Sequence, residues 1–569
     1  MSPLPILAVA LAIVVIGVLA FRLHAFLTLI VAALAVAALT PAASIERYEL
    51  TREGVRIDGV AADGSSVTVT ARRGQLLPGA TYDMFRLGQG RERPRSIGTV
   101  WVDAVPIAAT TGAAVGEHRL VVRSFDPFTR RQPGDWVTTD VVARGATKVA
   151  ADPIGARVAA GFGRTALDVG ILIAMASILG GCLMAARGAE RIVVSMRRAL
   201  GTSRTPLAFL GSGFLLGIPM FAEAVFYLLL PLAKAMWMET RRNYVLFVLA
   251  IVAGATMTHS LVPPTPGPLF VAEAMGIPIA LMMQQGAIVA VCAALAGYSY
   301  ALYADRRWGH EIVPAIGKGE LEVPAATVAN HGASLPPLVW SLLPILLPVV
   351  LISADAALGS STYGLPTWAV QAIHVLGDKN LALTLSAGAA LALLALGRAG
   401  AAADATASAR ADLVRKTVRD SVVEAGEIIL VIAAGGALGA VLRQAGMAEL
   451  AAATVPSQKL LLLPIAWGIT ALVRVAQGSA TVAMITAVGI VGPIALAGTL
   501  PYHPVYVATA IGAGSKIGMW MNDSGFWVIA RMSGMTEAQT LRTASVMVFV
   551  EGCAGLVVTV LLASVWPLL

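Results

Sequence analysis

The sequence predicts an all-α polytopic membrane protein that carries a small inserted β domain. Hydrophobic residues make up 57% of the 569-residue chain and charged residues only 13%, whereas about 25% of the residues in soluble domains are charged. Many apolar runs reach about 18 residues, enough to cross the hydrocarbon layer as a helix. One stretch, residues 43–162, is instead polar and rich in Arg.

The chain begins with two apolar runs, near residues 3–20 and 25–41. The first lacks a basic leader, and the second follows it within a few residues, so we expect a retained span rather than a cleaved signal peptide. Residues 1–42 are therefore expected to form two transmembrane helices.

Residues 43–162 alternate apolar and polar side chains, as in SSVTVTARR (65–73) and EHRLVVRSF (117–125). A period of two with interleaved Gly and Pro indicates strands and turns. No acid pair or metal-ligand spacing is visible there, which favours an accessory or interaction module.

From about residue 163 the chain is expected to lie mostly in the membrane. The predicted order is a first repeat over 163–303, a loop over 304–337, connecting transmembrane helices over 338–397 and a second repeat over 425–569. Spans are expected near 166–186, 244–275, 278–303, 338–354, 379–397, 425–442, 504–530 and 543–567.

Two apolar stretches, 206–237 and 460–497, are too long for one span and too interrupted for two. Their centres read GIPMFAEAVF (217–226) and VAQGSATVA (475–483). Backbone exposed at mid-membrane is tolerated only where it lines a protein or water-filled cavity. Both stretches are therefore predicted to be re-entrant hairpins.

Basic loops predict the orientation. The segment 187–204 contains five arginines and one acid, and the segments 239–242 and 398–419 are also basic. Loops rich in Lys and Arg remain in the cytoplasm, and the 304–337 loop is assigned to the same side. The mouth of the second hairpin, both termini and the β domain then fall outside the cytoplasm.

An internal repeat relates the two halves of the membrane region. Residues 171–192 resemble 428–450, so that Gly181 matches Gly439, and residues 250–268 resemble 510–526. In the predicted topology the two copies enter from opposite sides. Inverted repeats with discontinuous helices that meet at mid-membrane are typical of alternating-access transporters.

The substrate site is expected at the interrupted segments. Four prolines in LVPPTPGP (261–268) are incompatible with a continuous helix, and the positive N-terminus of the following half-helix suits an anion. The alternative is a kinked helix whose polar groups are satisfied by its neighbours. The candidate substrate-binding residues are Thr258, His259, Thr265, Arg474, Gln477, Gly478, Ser479, Thr481, Asn522 and Ser524.

Two acids in apolar surroundings, Glu223 and Asp523, are the candidate proton carriers. A charge at the bilayer centre costs about 2.5–3.5 kcal/mol on insertion scales, so such residues usually face a pathway. A purely structural, hydrogen-bonded role is the alternative. Arg474 is the expected partner of a substrate carboxylate, with Lys516 as a second candidate.

Five motifs resemble the gluconate permease family of the ion transporter superfamily: RGAERI (187–192), GIPMFAEAVF (217–226), THSLVPPTPGP (258–268), QGSATVA (477–483) and NDSGFW (522–527). The resemblance implies an elevator-type, proton-coupled symporter for gluconate or a related hydroxy acid, with sodium less favoured. It also implies a homodimer in the bacterial inner membrane, with the substrate at the hairpin tips and unwound helix centres.

Two departures from the family pattern leave alternatives open. The 43–162 domain resembles an insertion, so a membrane sensor that signals through it is a second hypothesis. Met519 and Trp520 stand where the family tends to have Ser-His, so D-serine or a sugar uronate are alternative substrates. The dispersed histidines give no catalytic spacing, and we expect no enzyme activity, cofactor, metal or nucleic-acid partner.

Overall fold

The structure is a computed structural model. It describes the whole chain except residues 1–2, 20, 22, 61–65, 73–79, 89–91, 102–114, 122–131, 202–203, 314–334, 359–365, 397–406, 447–458, 498–499, 522 and 569.

The described residues are predominantly helical. The helices are α1 (Pro3–Leu19), α2 (Ala25–Leu39), α3 (Ala42–Glu53), α4 (Asp140–Ala151), α5 (Ile154–Ala185), α6 (Gly188–Leu200), α7 (Thr205–Leu216), α8 (Ala222–Thr240), α9 (Tyr244–Leu261), α10 (Pro266–Ala274), α11 (Ile279–Trp308), α12 (Leu338–Leu358), α13 (Thr367–Gly377), α14 (Lys379–Leu396), α15 (Ala407–Gln444), α16 (Leu462–Gln477), α17 (Ala480–Ala497), α18 (Val505–Gly514), α19 (Ser524–Ser533), α20 (Glu537–Thr540) and α21 (Val546–Val565). A short 3₁₀ segment, Lys459–Leu461, precedes α16, and a π turn, Leu541–Ser545, joins α20 to α21.

The helical content confirms the predicted class of membrane protein. Among the described residues, seven helices are long and apolar enough to cross a membrane, or eight if the bent pair α2–α3 counts as one span. Large apolar side chains such as Leu167 and Val565 are more than four-fifths exposed. A surface of this kind suits hydrocarbon rather than water.

Two helices start earlier than hydropathy indicates. Helix α5 begins at Ile154 and α15 at Ala407, whereas the apolar runs begin near 166 and 425. Hydropathy detects only the part of a helix that lies in the bilayer. The first turns of α15 are charged and exposed, so this helix extends beyond the apolar layer.

Four interruptions separate consecutive helices at the predicted motifs. They lie at residues 217–221, 262–265, 478–479 and 515–523. At the second, Thr265 adopts an extended conformation and Pro266 begins α10, a position where a missing amide hydrogen is harmless. At the third, Gly478 has a φ of 77°, which favours glycine. Whether each helix pair enters and leaves on one side of the membrane stays a prediction.

A six-stranded antiparallel sheet lies between α3 and α4, with the strand order β4-β3-β6-β1-β2-β5. The strands are β1 (Val55–Val60), β2 (Ser66–Arg72), β3 (Thr81–Arg86), β4 (Arg95–Trp101), β5 (Val115–Val121) and β6 (Trp136–Thr138). They occupy a narrower range than the expected 43–162 because both ends of that segment are helical. The placement of this sheet outside the cytoplasm stays a prediction.

Two apolar clusters form most of the buried core. One joins α2, α5, α10, α15, α17 and α18, and the other joins α6 to α9 with α11 and parts of α19 and α21. The helix interruptions bring polar groups to the region where these clusters meet.

Candidate functional site

A cavity of about 270 Å³ lies where the interruptions converge. Its walls come from the start of α8, the second half of α9, the middle of α15, the junction of α16 and α17, and the segment from Lys516 to α19. Pockets for drug-sized ligands are about 300–1,000 Å³, so this one suits a smaller molecule. Its apolar wall includes Phe221, Phe226 and Val431.

Arg474 and Asp523 form a buried ion pair at the edge of this cavity. Their side chains are 7% and 6% exposed. The Arg474 guanidinium donates to the Asp523 carboxylate and to the carbonyl oxygen of Gly478. The other carboxylate oxygen of Asp523 accepts from the Gly525 amide at 2.8 Å and caps α19. The pair therefore ties the end of α16 to the start of α19.

Lys516 is the second cation on the cavity wall, and its side chain has a different environment. Lys516 is 4% exposed. Within the described residues its ammonium group has neither a hydrogen bond nor an ion pair within 4 Å. Glu551, Asp523 and Glu223 are the acids that attract it electrostatically. Burying an ammonium group without a counter-ion in direct contact is costly, and an anionic ligand in the cavity would reduce that cost.

Glu551 lies behind the wall and is fully buried. Its Oε2 accepts from the Thr256 hydroxyl at 3.0 Å, and its Oε1 has no hydrogen-bond partner among the described residues. Thr256 itself lines the cavity. Glu551 therefore contributes a fixed carboxylate behind Lys516 and Thr256.

His259 and Glu223 reach the cavity from the first repeat. The His259 ring packs edge-on against Phe221, with the ring centroids 5.5 Å apart. Its Nδ1 has no partner within the described part of the chain. Glu223 lies in the first turn of α8, and its carboxylate faces Gly525 at the start of α19. Both residues are available to a ligand.

The junction between α16 and α17 supplies small polar groups. Gly478, Ser479 and Thr481 line the cavity. The Ser479 oxygen accepts from the Val482 amide at 3.4 Å and so helps to begin α17. These groups suit a ligand with hydroxyl groups, because backbone and hydroxyl donors and acceptors match a polyol.

The structure brings seven of the predicted residues to the cavity: Glu223, His259, Arg474, Gly478, Ser479, Thr481 and Asp523. Thr258 and Thr265 are buried away from it, and their hydroxyls donate to the carbonyl oxygens of Gly254 and Val262 at 3.1 and 2.7 Å. Asn522 and the side chains of Gln477 and Ser524 lie outside the described residues. The binding roles of all of them stay predictions.

Sequence reasoning did not single out Thr256, Glu427 or Glu551. Glu427 projects from α15 at the cavity edge, and its Oε1 lies 3.3 Å from the His24 ring. Acids inside apolar runs are expensive and usually functional, and that signal is present at both Glu427 and Glu551. Thr256 carries no comparable signal because a hydroxyl is common within helices.

Comparisons with known proteins agree on one family. The family model described as GntP family permease matches residues 141–565. An uncharacterized permease of Haemophilus influenzae is 32% identical over 385 residues, which cover 67% of this chain and 76% of that protein. A gluconate permease of Pseudomonas aeruginosa is 29% identical over 411 residues, covering 71% and 86%.

Two further similarities were found, one to a protein sequence and one to a solved structure. A low-affinity gluconate transporter of Escherichia coli is 29% identical over 418 residues, covering 72% of this chain and 87% of that protein. The crystal structure of the Alcanivorax borkumensis YdaH transporter matches 78% of this chain and 94% of its own, with a TM-score of 0.48 and 15% identity.

Proposed function

The chain belongs to the GntP permease family, and on that premise we propose that it is a secondary transporter for gluconate or a related small hydroxy acid. The observation that carries the proposal is the buried Lys516 ammonium, which faces a small cavity among hydroxyl and backbone groups. A sugar acid has one carboxylate and several hydroxyls. Several relatives are named gluconate permeases or transporters, which supports the same substrate class.

We assign the substrate carboxylate to Lys516 rather than to Arg474. The Arg474 guanidinium is already bonded to Asp523 and Gly478, whereas Lys516 has no such partner within the described residues. The Ser479 and Thr481 hydroxyls are near enough to the same cavity to bind the polyol part. Arg474 then acts as a positioning residue that holds the junctions together.

Proton coupling belongs to the same proposal. Glu223 is the preferred carrier, because Asp523 is committed to its ion pair and its helix cap. One proton moving with one monovalent anion transfers no net charge. Uptake would then follow the pH gradient and not the voltage, which otherwise contributes about 2.3 kcal/mol per charge per 100 mV.

Alternating access by an elevator movement, and assembly as a homodimer, are also part of the proposal. The repeated order of span, interrupted helix pair and broken helix supports the first. The second rests on the family resemblance alone.

Uptake of labelled gluconate into proteoliposomes under an inward proton gradient tests this function. We expect accumulation that a protonophore abolishes. Unlabelled hydroxy acids should reduce the accumulation, and those that fit the cavity best should reduce it most. An imposed voltage at equal pH should drive no uptake. Folded, correctly inserted protein that accumulates neither gluconate nor any competing acid would contradict the proposal.

A further inference from the structure

A second cavity, of about 210 Å³, lies between α5, α10, α15 and α17. Among the described residues the two cavities share no lining residue, although both are bordered by α15 and α17. Its wall combines the charged side chains of Arg164, Asp168, Glu273 and Arg443 with Thr165 and a row of glycines. Charged residues within membrane helices usually face a pathway or a partner.

A thin barrier separates the two cavities. On α15 the first cavity ends at Val431 and the second begins at Gly435, which is about one helical turn. On α17 the corresponding positions are Ile485 and Val488. The backbone of Gly435 packs against Ile485 so closely that a Cβ at this position would overlap the isoleucine Cγ2. The two cavities therefore lie in sequence along the same pair of helices.

The charges of the second cavity favour an anion. Glu273 is neutralised by Lys379, whose ammonium lies 2.5 Å from its Oε1. Among the described residues neither Arg164 nor Arg443 has an ion pair within 4 Å. Asp168 is the remaining acid on the wall. The formal balance of these five groups is three positive charges against two negative ones, with both unpaired guanidinium groups at the cavity.

The second cavity lies toward the sheet side of the protein. Arg443 is next to Gln444, whose amide donates to Glu49 on α3 at 3.3 Å, and α3 leads directly into the first strand. The opposite end of α15 lies within the basic segment 398–419. By the positive-inside rule that end is cytoplasmic, so the second cavity opens to the extracytoplasmic side.

We propose that the second cavity is an extracytoplasmic binding vestibule for small carboxylates, in which Arg164 and Arg443 bind the anion before it reaches the first cavity. The identity of the anion and its passage to the first cavity rest on the proposed function. The charge preference and the sidedness rest on the arginines, on the barrier at Gly435 and on the contact between Gln444 and Glu49.

Thiol labelling on α15 tests the vestibule. Ala440, which lines the second cavity, is changed to Cys in a background where the three native cysteines are replaced by Ala. Right-side-out vesicles are treated with two membrane-impermeant methanethiosulfonates, one anionic and one cationic. The rate at which each reagent labels the cysteine is divided by the rate at which the same reagent reacts with a free thiol in solution. We expect the anionic reagent to be favoured by about fivefold or more, since local positive charge concentrates anions.

Matched variants separate charge from structure. Arg443→Gln should bring the ratio of the normalised anionic rate to the normalised cationic rate close to one. Arg415 is an exposed arginine at the other end of α15, and Arg415→Gln should leave this ratio unchanged. Ile428→Cys on the first cavity should react faster from the cytoplasmic face, in inside-out vesicles. This position is 12 residues away on the same helix, or about 18 Å.

The outcomes decide the proposal independently of transport. No labelling at Ala440→Cys from outside, equal normalised rates for the two reagents, or a preference that survives Arg443→Gln would each overturn it. Labelling itself requires no substrate movement. If the expected labelling is seen but gluconate does not slow it, the vestibule stands and the substrate assignment fails.

Discussion

At the scale of single residues, the two cations of the first cavity have different roles. Arg474 is held by Asp523 and Gly478, so its charge serves the junction between α16 and α19. Lys516 is equally buried but has no comparable partner among the described residues. In the proposed function, the carboxylate of the substrate supplies the direct partner that the Lys516 ammonium lacks.

Replacing Lys516 by Gln should weaken gluconate binding by about 10- to 100-fold, because a hydrogen bond to a charged group contributes about 1.5–3 kcal/mol. Equilibrium binding of labelled gluconate to purified protein measures this change. Lys416→Gln, which removes an exposed lysine on α15, is the matched control and should bind normally. Unchanged binding in Lys516→Gln would remove this lysine from the site.

Replacing Arg474 by Ala should destabilise the fold by about 3–5 kcal/mol, since it leaves the Asp523 carboxylate buried and unpaired. The loss in the double variant with Asp523→Ala should be smaller than the sum of the two single losses. Denaturant titration in detergent gives the free energies of unfolding. The exposed pair Arg144–Asp140 is the comparison, for which a coupling below about 1 kcal/mol is expected. Additive losses at Arg474 and Asp523 would show that the pair is not coupled.

Replacing Glu223 by Gln should abolish uptake driven by a pH gradient while preserving substrate binding, because the amide cannot exchange a proton with the cavity. Proteoliposome uptake and equilibrium binding are measured on the same preparation. Glu239→Gln, at the exposed end of the same helix, should leave both unchanged. Normal pH-driven uptake in Glu223→Gln would show that another group carries the proton. Glu427 at the cavity edge is the next candidate.

At the scale of secondary-structure elements, the close contact of Gly435 on α15 with Ile485 on α17 lies between the residues that line the two cavities. Glycines at 435, 439 and 489 allow the two backbones to approach closely. The interrupted helices bring polar groups to the first cavity on one side of this contact. The charged second cavity lies on the other side.

Gly435→Val should destabilise the protein by about 1–3 kcal/mol through overpacking against Ile485, and it should slow transport by fixing or distorting the barrier. Thermal unfolding and initial uptake rates are the measurements. Ile485→Ala in the same chain should restore part of the stability. Gly426→Ala, on the same helix with open space around it, should change neither quantity, and equal effects at positions 426 and 435 would argue against the barrier.

At the scale of the whole molecule, the sheet region is separable from the matched family region, which begins at residue 141. Helices α3 and α4 pack against each other, so the two ends of the sheet segment are near neighbours. Arg157 on α5 donates to the Ala37 carbonyl oxygen at 2.7 Å, so a deletion that reached residue 160 would damage the membrane region. A linker in place of residues 54–139 avoids this.

Such a deletion should leave the gluconate uptake rate within about twofold of the intact protein's rate if the membrane region transports by itself, because no sheet residue among those described lines either cavity. Proteoliposome uptake, with folding checked by size-exclusion chromatography, tests this. A linker of the same length inserted beside an intact sheet is the control. Loss of uptake in a folded deletion variant would favour the alternative in which the sheet signals or gates.

Much of the fold and part of the site could be predicted from the sequence because these features depend on local composition. Apolar runs predict membrane helices, and prolines or polar clusters at 217–226, 261–268 and 475–483 predict where helices are interrupted. The family resemblance follows from the same short motifs. Of the seven candidate residues at the cavity, six lie within those segments or within two residues of them, and Asp523 lies in the fourth interruption, at 515–523.

Pairings between distant segments depend on the tertiary structure. Arg474 meets Asp523 across 49 positions of sequence, and for this reason the proposed function assigns the substrate carboxylate to Lys516. Thr258 and Thr265 donate to backbone carbonyl oxygens only four and three residues away, but whether such a side chain also reaches a cavity depends on how the helices pack. The second cavity exists because glycines on α15 and α17 bring two helices together, and local sequence does not specify which helices meet.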